Sequence, residues 1–201
     1  MIKISLFIFR RDLRIEDNKG LIEAFKSSKL VIPCFILNPK QIEKNPYQGQ
    51  ASLNFMYESL EDLNQDFKKK GGRLYLFKGL PHEIIQKIYK TIKIDAVFIN
   101  REYTPFGEKR DALIKEVCEK KNIMVNIIDD YLLNPPEEVL KKDYTAYKKF
   151  TPFFRAAKKL PVAIPNFEKF TNFFKTSLED NLSIKNVEKI LNFSANPLAL
   201  R

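Results

Sequence analysis

The sequence predicts an α/β domain: a doubly wound, Rossmann-like sheet of five parallel strands with helices on both faces, followed by a C-terminal linker. Three observations carry this expectation. Five short apolar runs fall between Ile2 and Ile128. Each consecutive pair is separated by a stretch with helical periodicity, and strand–helix alternation is the pattern of parallel sheets with crossover helices. The runs are nearly continuous in apolar character rather than alternating, as expected of strands covered on both faces.

The elements follow in order. Ile2–Phe9 (IKISLFIF) is the first strand and Leu30–Leu37 (LVIPCFIL) the second. Pro33 interrupts the second run, and proline avoids central strands, so a bulge or a later start is expected there. Arg73–Phe77, Ala96–Ile99 and Ile123–Ile128 complete the set. Lys19–Ser27 is short and amphipathic. Ala51–Lys70 places Leu53, Met56, Leu60, Leu63 and Phe67 on one helical face, and Gly71–Gly72 ends it. Pro81–Tyr89 opens with proline at the first turn. Pro105–Lys121 turns Leu113, Ile114 and Val117 inward.

In such a sheet, ligands lie beyond the carboxyl ends of the strands. The loops of interest are therefore Arg10–Asn18, Asn38–Gln50, Asn100–Gly107 and Asp129–Pro136. The pattern changes at Pro135–Pro136. This divides the chain into an α/β domain, residues 1–135, and an interdomain linker, residues 136–201, partly ordered by docking back on the sheet.

Composition sets outer limits. The chain has 201 residues, 44% hydrophobic and 30% charged, enough for a substantial core without staples. No run reaches the ~18 apolar residues of a membrane span. The apolar start lacks a cleavage site for export, so a cytoplasmic protein without a membrane partner is expected, and a monomer. Cys34 and Cys118 sit in apolar surroundings and read as buried thiols, without zinc spacing. The net charge of +10 admits a polyanionic partner, but the excess is spread over both halves. There is no GxGxxG and no Walker A motif. The single histidine, His82, lies at a helix start with no nucleophile elbow, which excludes an ordinary hydrolase triad.

The most specific segment is Phe9-Arg10-Arg11-Asp12-Leu13-Arg14-Ile15-Glu16-Asp17-Asn18. Three arginines and two aspartates in so short a loop suit bidentate ion pairing. Asp12, Arg14 and Asp17 are assigned to holding the loop, Asn18 to capping the next helix, and Arg10 and Arg11 to facing a ligand or partner domain. The segment resembles the opening signature of DNA photolyases and cryptochromes. Gly79-Leu80-Pro81, Asn100 to Asp111 with its PFG and RD, Asp130 to Pro136, and Tyr147-Lys148-Lys149-Phe150-Thr151-Pro152-Phe153 resemble further family segments in the family's order. Ile8 and Glu16 stand where the family often has tryptophan and histidine.

The resemblance implies the antenna-chromophore domain of a deoxyribodipyrimidine photolyase, which repairs pyrimidine dimers in DNA with light, or the same domain of a cryptochrome. It implies a cofactor site at Arg10, Arg11, Leu37, Asn38, Glu102 and Gly107. An 8-hydroxy-5-deazaflavin or FMN antenna fits better than folate, because Phe106 and Gly107 replace the Asn-Glu pair of folate-type members. Ser52 replaces an arginine common in deazaflavin types, which keeps the alternative of no antenna open. FAD and the main DNA contacts are expected in a helical domain beyond Arg201, so the fragment is expected to be inactive alone. Lys148, Lys149, Arg155, Lys158 and Lys159 are expected to add at most weak DNA affinity. Phe150, Phe153 and Phe154 are expected to anchor the linker or to face the missing domain.

Overall fold

The structure is a computed structural model and describes residues 2–43 and 48–193. Residues 44–47 of the Asn38–Gln50 loop and the end of the linker lie outside the described residues. Five parallel strands, β1 (Ile2–Phe9), β2 (Ser28–Leu37), β3 (Tyr75–Lys78), β4 (Ala96–Asn100) and β5 (Met124–Ile128), form one sheet in the order β3-β2-β1-β4-β5. The helices between them are α1 (Lys19–Ser27), α2 (Pro39–Ile42), α3 (Gln50–Lys69), α4 (Pro81–Thr91) and α5 (Pro105–Glu119). The doubly wound five-stranded fold is thus the observed one.

Strand periodicity sorts the core into two halves. Phe7, Phe9, Val31, Phe35 and Leu37 point to one face and meet α1 and α3 through Leu21, Phe25, Leu53, Leu60 and Phe67. Leu6, Ile8, Ile32, Cys34 and Ile36 point to the other and meet α4 and α5 through Ile84, Ile85, Ile88 and Ile114. The alternation of side chains along a strand forces this division. Cys34 and Cys118 are both buried free thiols, and burial pushes Cys118 up to about 11.

Three sequence expectations shift. Leu113 lies on the outer side of α5, 42% exposed, because Ile114 and Val117 take the inward positions. Pro33 causes no bulge: β2 stays in register, with Phe7 opposite Pro33. Val31 and Pro33, two residues apart, direct their amide positions to the same side. There Val31 bonds with Asn172 and Phe174, while β3 begins only opposite Cys34. The missing N–H of Pro33 falls in the gap between these partners, so no ladder bond is lost.

The third shift concerns the linker. Its anchor is not Phe150, Phe153 and Phe154, which remain exposed on the helix α6 (Phe150–Ala157). The anchor is Phe173, which bridges Val31 in parallel and packs edge-on against Phe25 and Phe67. Phe174 joins the opposite core half. A final helix, α7 (Ile184–Ile190), inserts Val187 into the core beside α3. Ser183 caps it in a reciprocal capping box with Asn186.

Candidate functional site

The carboxyl ends of β1 and β4 meet where the strand order reverses, the usual place for a ligand. Here the chain fills much of that crevice with its own side chains. Asp12 is 5% exposed and is the hub. It accepts hydrogen bonds from the Arg10 backbone N–H at 3.0 Å, from the Asn18 amide at 3.1 Å and from the Asn100 amide. Asn100 also donates to Asn18 Oδ1 at 2.9 Å and Asp130 Oδ2 at 3.1 Å. Asn18 then accepts from Leu21 N and caps α1. Arg14 pairs with Asp130 at 2.9 Å, and Asp17 is tied to Asn166 in the linker. Asp12, Arg14, Asp17 and Asn18 therefore hold the loop.

Asn100 Oδ1 is buried without a hydrogen-bond partner among the described residues. It sits over Gly20, where a Cβ would come within 2.1 Å of it. Glycine at that helix position makes room for the amide.

A second layer builds the wall beside this knot. Arg10 grips Asp111 with both terminal nitrogens, Nη1 reaching Oδ2 at 3.1 Å, and donates to the Asn100 carbonyl at 3.0 Å. Burial lowers the pKa of Arg10, and neighbouring Arg110 lowers it further, while Asp111 opposes both. Arg110 pairs with Glu102 at 2.7 Å, and Glu102 also accepts from Thr104 at 3.0 Å. Arg11, largely exposed, reaches the other Glu102 oxygen at 3.2 Å. Burial alone would push the Glu102 carboxyl up. The bonds and charge of Arg110, with help from Thr104 and Arg11, hold it below the ordinary range.

Beyond that wall, over the ends of β1 and β2, lies a cavity of about 240 Å³. Its apolar sides come from Phe9, Phe35, Leu37, Ile42, Leu53 and Met56, and its polar side from Arg10, Arg11, Asn38, Glu102 and Arg110. Asn38 is 4% exposed. Its Oδ1 caps α2 by accepting from Lys40 N at 3.0 Å. Its amide nitrogen has no protein partner among the described residues, and Asn38 is one of the residues that border the cavity.

Five of the six sequence-named residues, Arg10, Arg11, Leu37, Asn38 and Glu102, thus border one space. Gly107 does not. It is buried under Glu102, and an added Cβ would come within 3.0 Å of Glu102 Cβ and Cγ. Its role is to seat Glu102. Arg110, Asp111, Leu53 and Met56 were not named as site residues. The Arg110–Asp111 pair stood in a quoted motif, and the inward face of α3 could have pointed to Leu53 and Met56. His82 lies outside the cavity. Among the described residues no helix is long and apolar enough to cross a membrane, and no cluster suits a metal ion.

A family model described as DNA photolyase matches residues 5–176. The deoxyribodipyrimidine photo-lyase of a Synechococcus strain is 31% identical over 164 residues, which is 80% of this chain and 34% of that protein. The chain therefore spans about a third of that relative's length. An archaeal photolyase from Sulfolobus tokodaii, solved with two FAD molecules and described as implying a novel light-harvesting cofactor, superposes with a TM-score of 0.83. It shares 34% identity over 94% of this chain and 41% of its own. A class III photolyase from Agrobacterium tumefaciens gives 0.81 and 26%, covering 92% and 38%. With the fold, the loop after β1 and the matched span in agreement, the chain belongs to the DNA photolyase family.

Proposed function

We propose that the cavity over β1 and β2 holds a flat light-absorbing ring, of flavin or deazaflavin type rather than folate, and that the chain is the light-collecting domain of a photolyase-type protein. The observation that carries this reading is the pairing of apolar walls with a short polar edge that includes the amide of buried Asn38. Aromatic and aliphatic walls suit a ring, and a fixed N–H suits a ring carbonyl. The volume lies just below the ~300–1,000 Å³ of drug-sized pockets, which fits a ring head with its tail in solvent. Once bound, such a ring supplies absorption of near-ultraviolet to blue light.

The protein's own residues bind and orient. Phe35 and Leu37 form part of the apolar wall. Glu102, kept ionised by Arg110, fixes the polar wall rather than reacting. The mainly apolar lining, with its arginines and Glu102 paired to one another, supports a binding role for the cavity. Light-driven repair of DNA, the activity in the Synechococcus relative's name, is proposed for the whole protein and not for this cavity.

The test is a titration of the purified chain with FMN, 8-hydroxy-5-deazaflavin and a reduced folate, followed by absorption and fluorescence. Saturable binding of the first two, lost in Asn38→Leu, is expected. Saturation by the folate alone would reassign the ring class. No saturation by any of the three would overturn the reading.

A further inference from the structure

We propose that β5 is a docking edge for a second copy of this chain, the two β5 strands pairing antiparallel about Asn126 and joining two sheets into one. This is independent of the light-collecting reading, and it replaces the monomer expected from the sequence.

The two edges of the sheet are treated differently. On β3, the Leu76 N–H donates to Asn181 Oδ1 at 2.9 Å and the Leu76 carbonyl accepts from Leu182 N at 2.7 Å, so the linker covers that edge. On β5, Met124 N donates to the Asp95 carbonyl and the Ile128 carbonyl accepts from Arg101 N, both toward β4. Alternate residues of a strand turn their backbone groups to opposite sides. Val125 and Ile127 therefore direct theirs outward, where they form no hydrogen bond among the described residues. No β5 residue is buried, and Met124 is 52% exposed. Open edges are commonly blunted by charge, proline or a bulge. Met124–Ile128 (MVNII) has no charge and no proline, and it keeps an unbroken register with β4.

The strand is also complementary to itself. Turned about Asn126, Val125 of one copy lies opposite Ile127 of the other, and their outward N–H and C=O groups satisfy each other. On the opposite face of the sheet, exposed Met124 meets Ile128, and Asn126 meets its own counterpart across the axis. Apolar and amide pairs of this kind are favourable cross-strand neighbours. The chain enters β5 through Lys120 and Lys121 and leaves it through Asp129 and Asp130. Antiparallel pairing lays the basic end of one strand against the acidic end of the other. Lys121 has no acidic partner among the described residues. The Asp129 side chain stays 38% exposed although it bonds Arg101 and Tyr103. This match in every layer favours a second copy over an unrelated extended peptide.

The experiment is sedimentation velocity of the whole chain from about 1 to about 300 μM, the range suited to a small interface. The mass should rise with concentration from 23.6 kDa toward twice that value. Asn126→Lys and Asn126→Glu each set like charges opposite one another on the axis. Each should weaken association about tenfold or more, and an equimolar mixture of the two should restore it. Circular dichroism checks that both variants fold. A parent chain that stays monomeric throughout would overturn the proposal and leave the edge to an extended peptide of another protein. Association that both variants leave intact would overturn it by placing the contact elsewhere. A mixture no stronger than either variant alone would overturn the pairing about Asn126.

Discussion

Two neighbouring regions at the carboxyl edge of the sheet differ in kind. Where β1 meets β4, the chain closes the crevice with Asp12, Asn18, Asn100 and Asp130, each bonded to another of the group. Over β1 and β2, it leaves a cavity with apolar walls and a polar edge that includes the amides of Asn38 and Gln41. The first arrangement rigidifies, because buried polar groups bonded to one another fix one geometry, although Asn100 Oδ1 has no partner among the described residues. The second can accept a ligand because its walls need no partner. The layer between them, Arg10 to Asp111 and Arg110 to Glu102, lets the rigid half position the open half.

The difference is broken most severely at the hub. Asp12→Ala leaves the N–H of Arg10 without its acceptor and takes one acceptor each from the amides of Asn18 and Asn100, which keep their bonds to Arg14, Asn18 and Asp130. An unsatisfied buried group costs about 1–3 kcal/mol and each lost hydrogen bond about 1 kcal/mol, so a loss of about 3 kcal/mol is expected. Urea unfolding followed by circular dichroism measures it. A loss below about 1 kcal/mol would mean that water replaces the carboxylate and that the region is not rigid.

The open half should respond in the opposite way. Met56→Trp adds bulk at a half-buried position of the cavity wall. Stability should change by no more than about 1 kcal/mol, while chromophore titration should weaken at least fiftyfold. Full binding in that variant would move the ligand elsewhere. Gly107→Ala tests the intervening layer. Its Cβ would crowd the Glu102 side chain, at a cost of about 1–2 kcal/mol. It should also weaken chromophore binding severalfold, although residue 107 does not border the cavity.

How far these regions could be read from sequence follows from the reach of their signals. The strands and α1 through α5, apart from the four-residue α2, were legible because each carries its own apolar period. Asp12, Arg14 and Asn18 were legible as loop fasteners because their chemistry is local and crowded. The Asp12–Asn100 bond spans 88 residues and joins two common residue types, so nothing local announces it. Arg10 and Arg11 look alike in sequence. Only the fold shows that Arg10 is spent on Asp111 while Arg11 stays at the surface. Phe173 was missed as the anchor for a similar reason. It docks through one bridge to Val31, without a strand pattern of its own, whereas α6 has a strong local pattern and remains exposed.

Acid should probe the same layer with a defined sign. The Glu102 carboxyl lies below its ordinary value in the folded chain, mainly through Arg110 acting against burial. Its contribution is therefore complete above the ordinary glutamate range of about 4.3 and is lost as pH falls from there through the lowered value. Thermal unfolding from pH 6 downward should show a shallower acid decline in Glu102→Gln than in the parent chain. Parallel declines would mean that Glu102 is as well solvated folded as unfolded.

The smallest expected effect concerns the tail of the chromophore. Ser52, exposed in the first turn of α3, borders the cavity and brings no charge. Arg10 and Arg110 are committed to carboxylates, and Arg11 is shared with Glu102. Among the described residues, the lining therefore offers a phosphate little beyond Arg11, and riboflavin and FMN should bind the parent chain within a few-fold of one another. Ser52→Arg adds a cation at the rim. It should tighten FMN about fivefold at low salt, the yield of one exposed ion pair near 1 kcal/mol, and leave riboflavin unchanged. Raising the ionic strength toward 1 M should erase the gain, since a contact at the rim is screened whereas one inside the cavity is not. An FMN gain that survives high salt would place the phosphate within the walls and enlarge the part of the ligand that this half of the edge encloses.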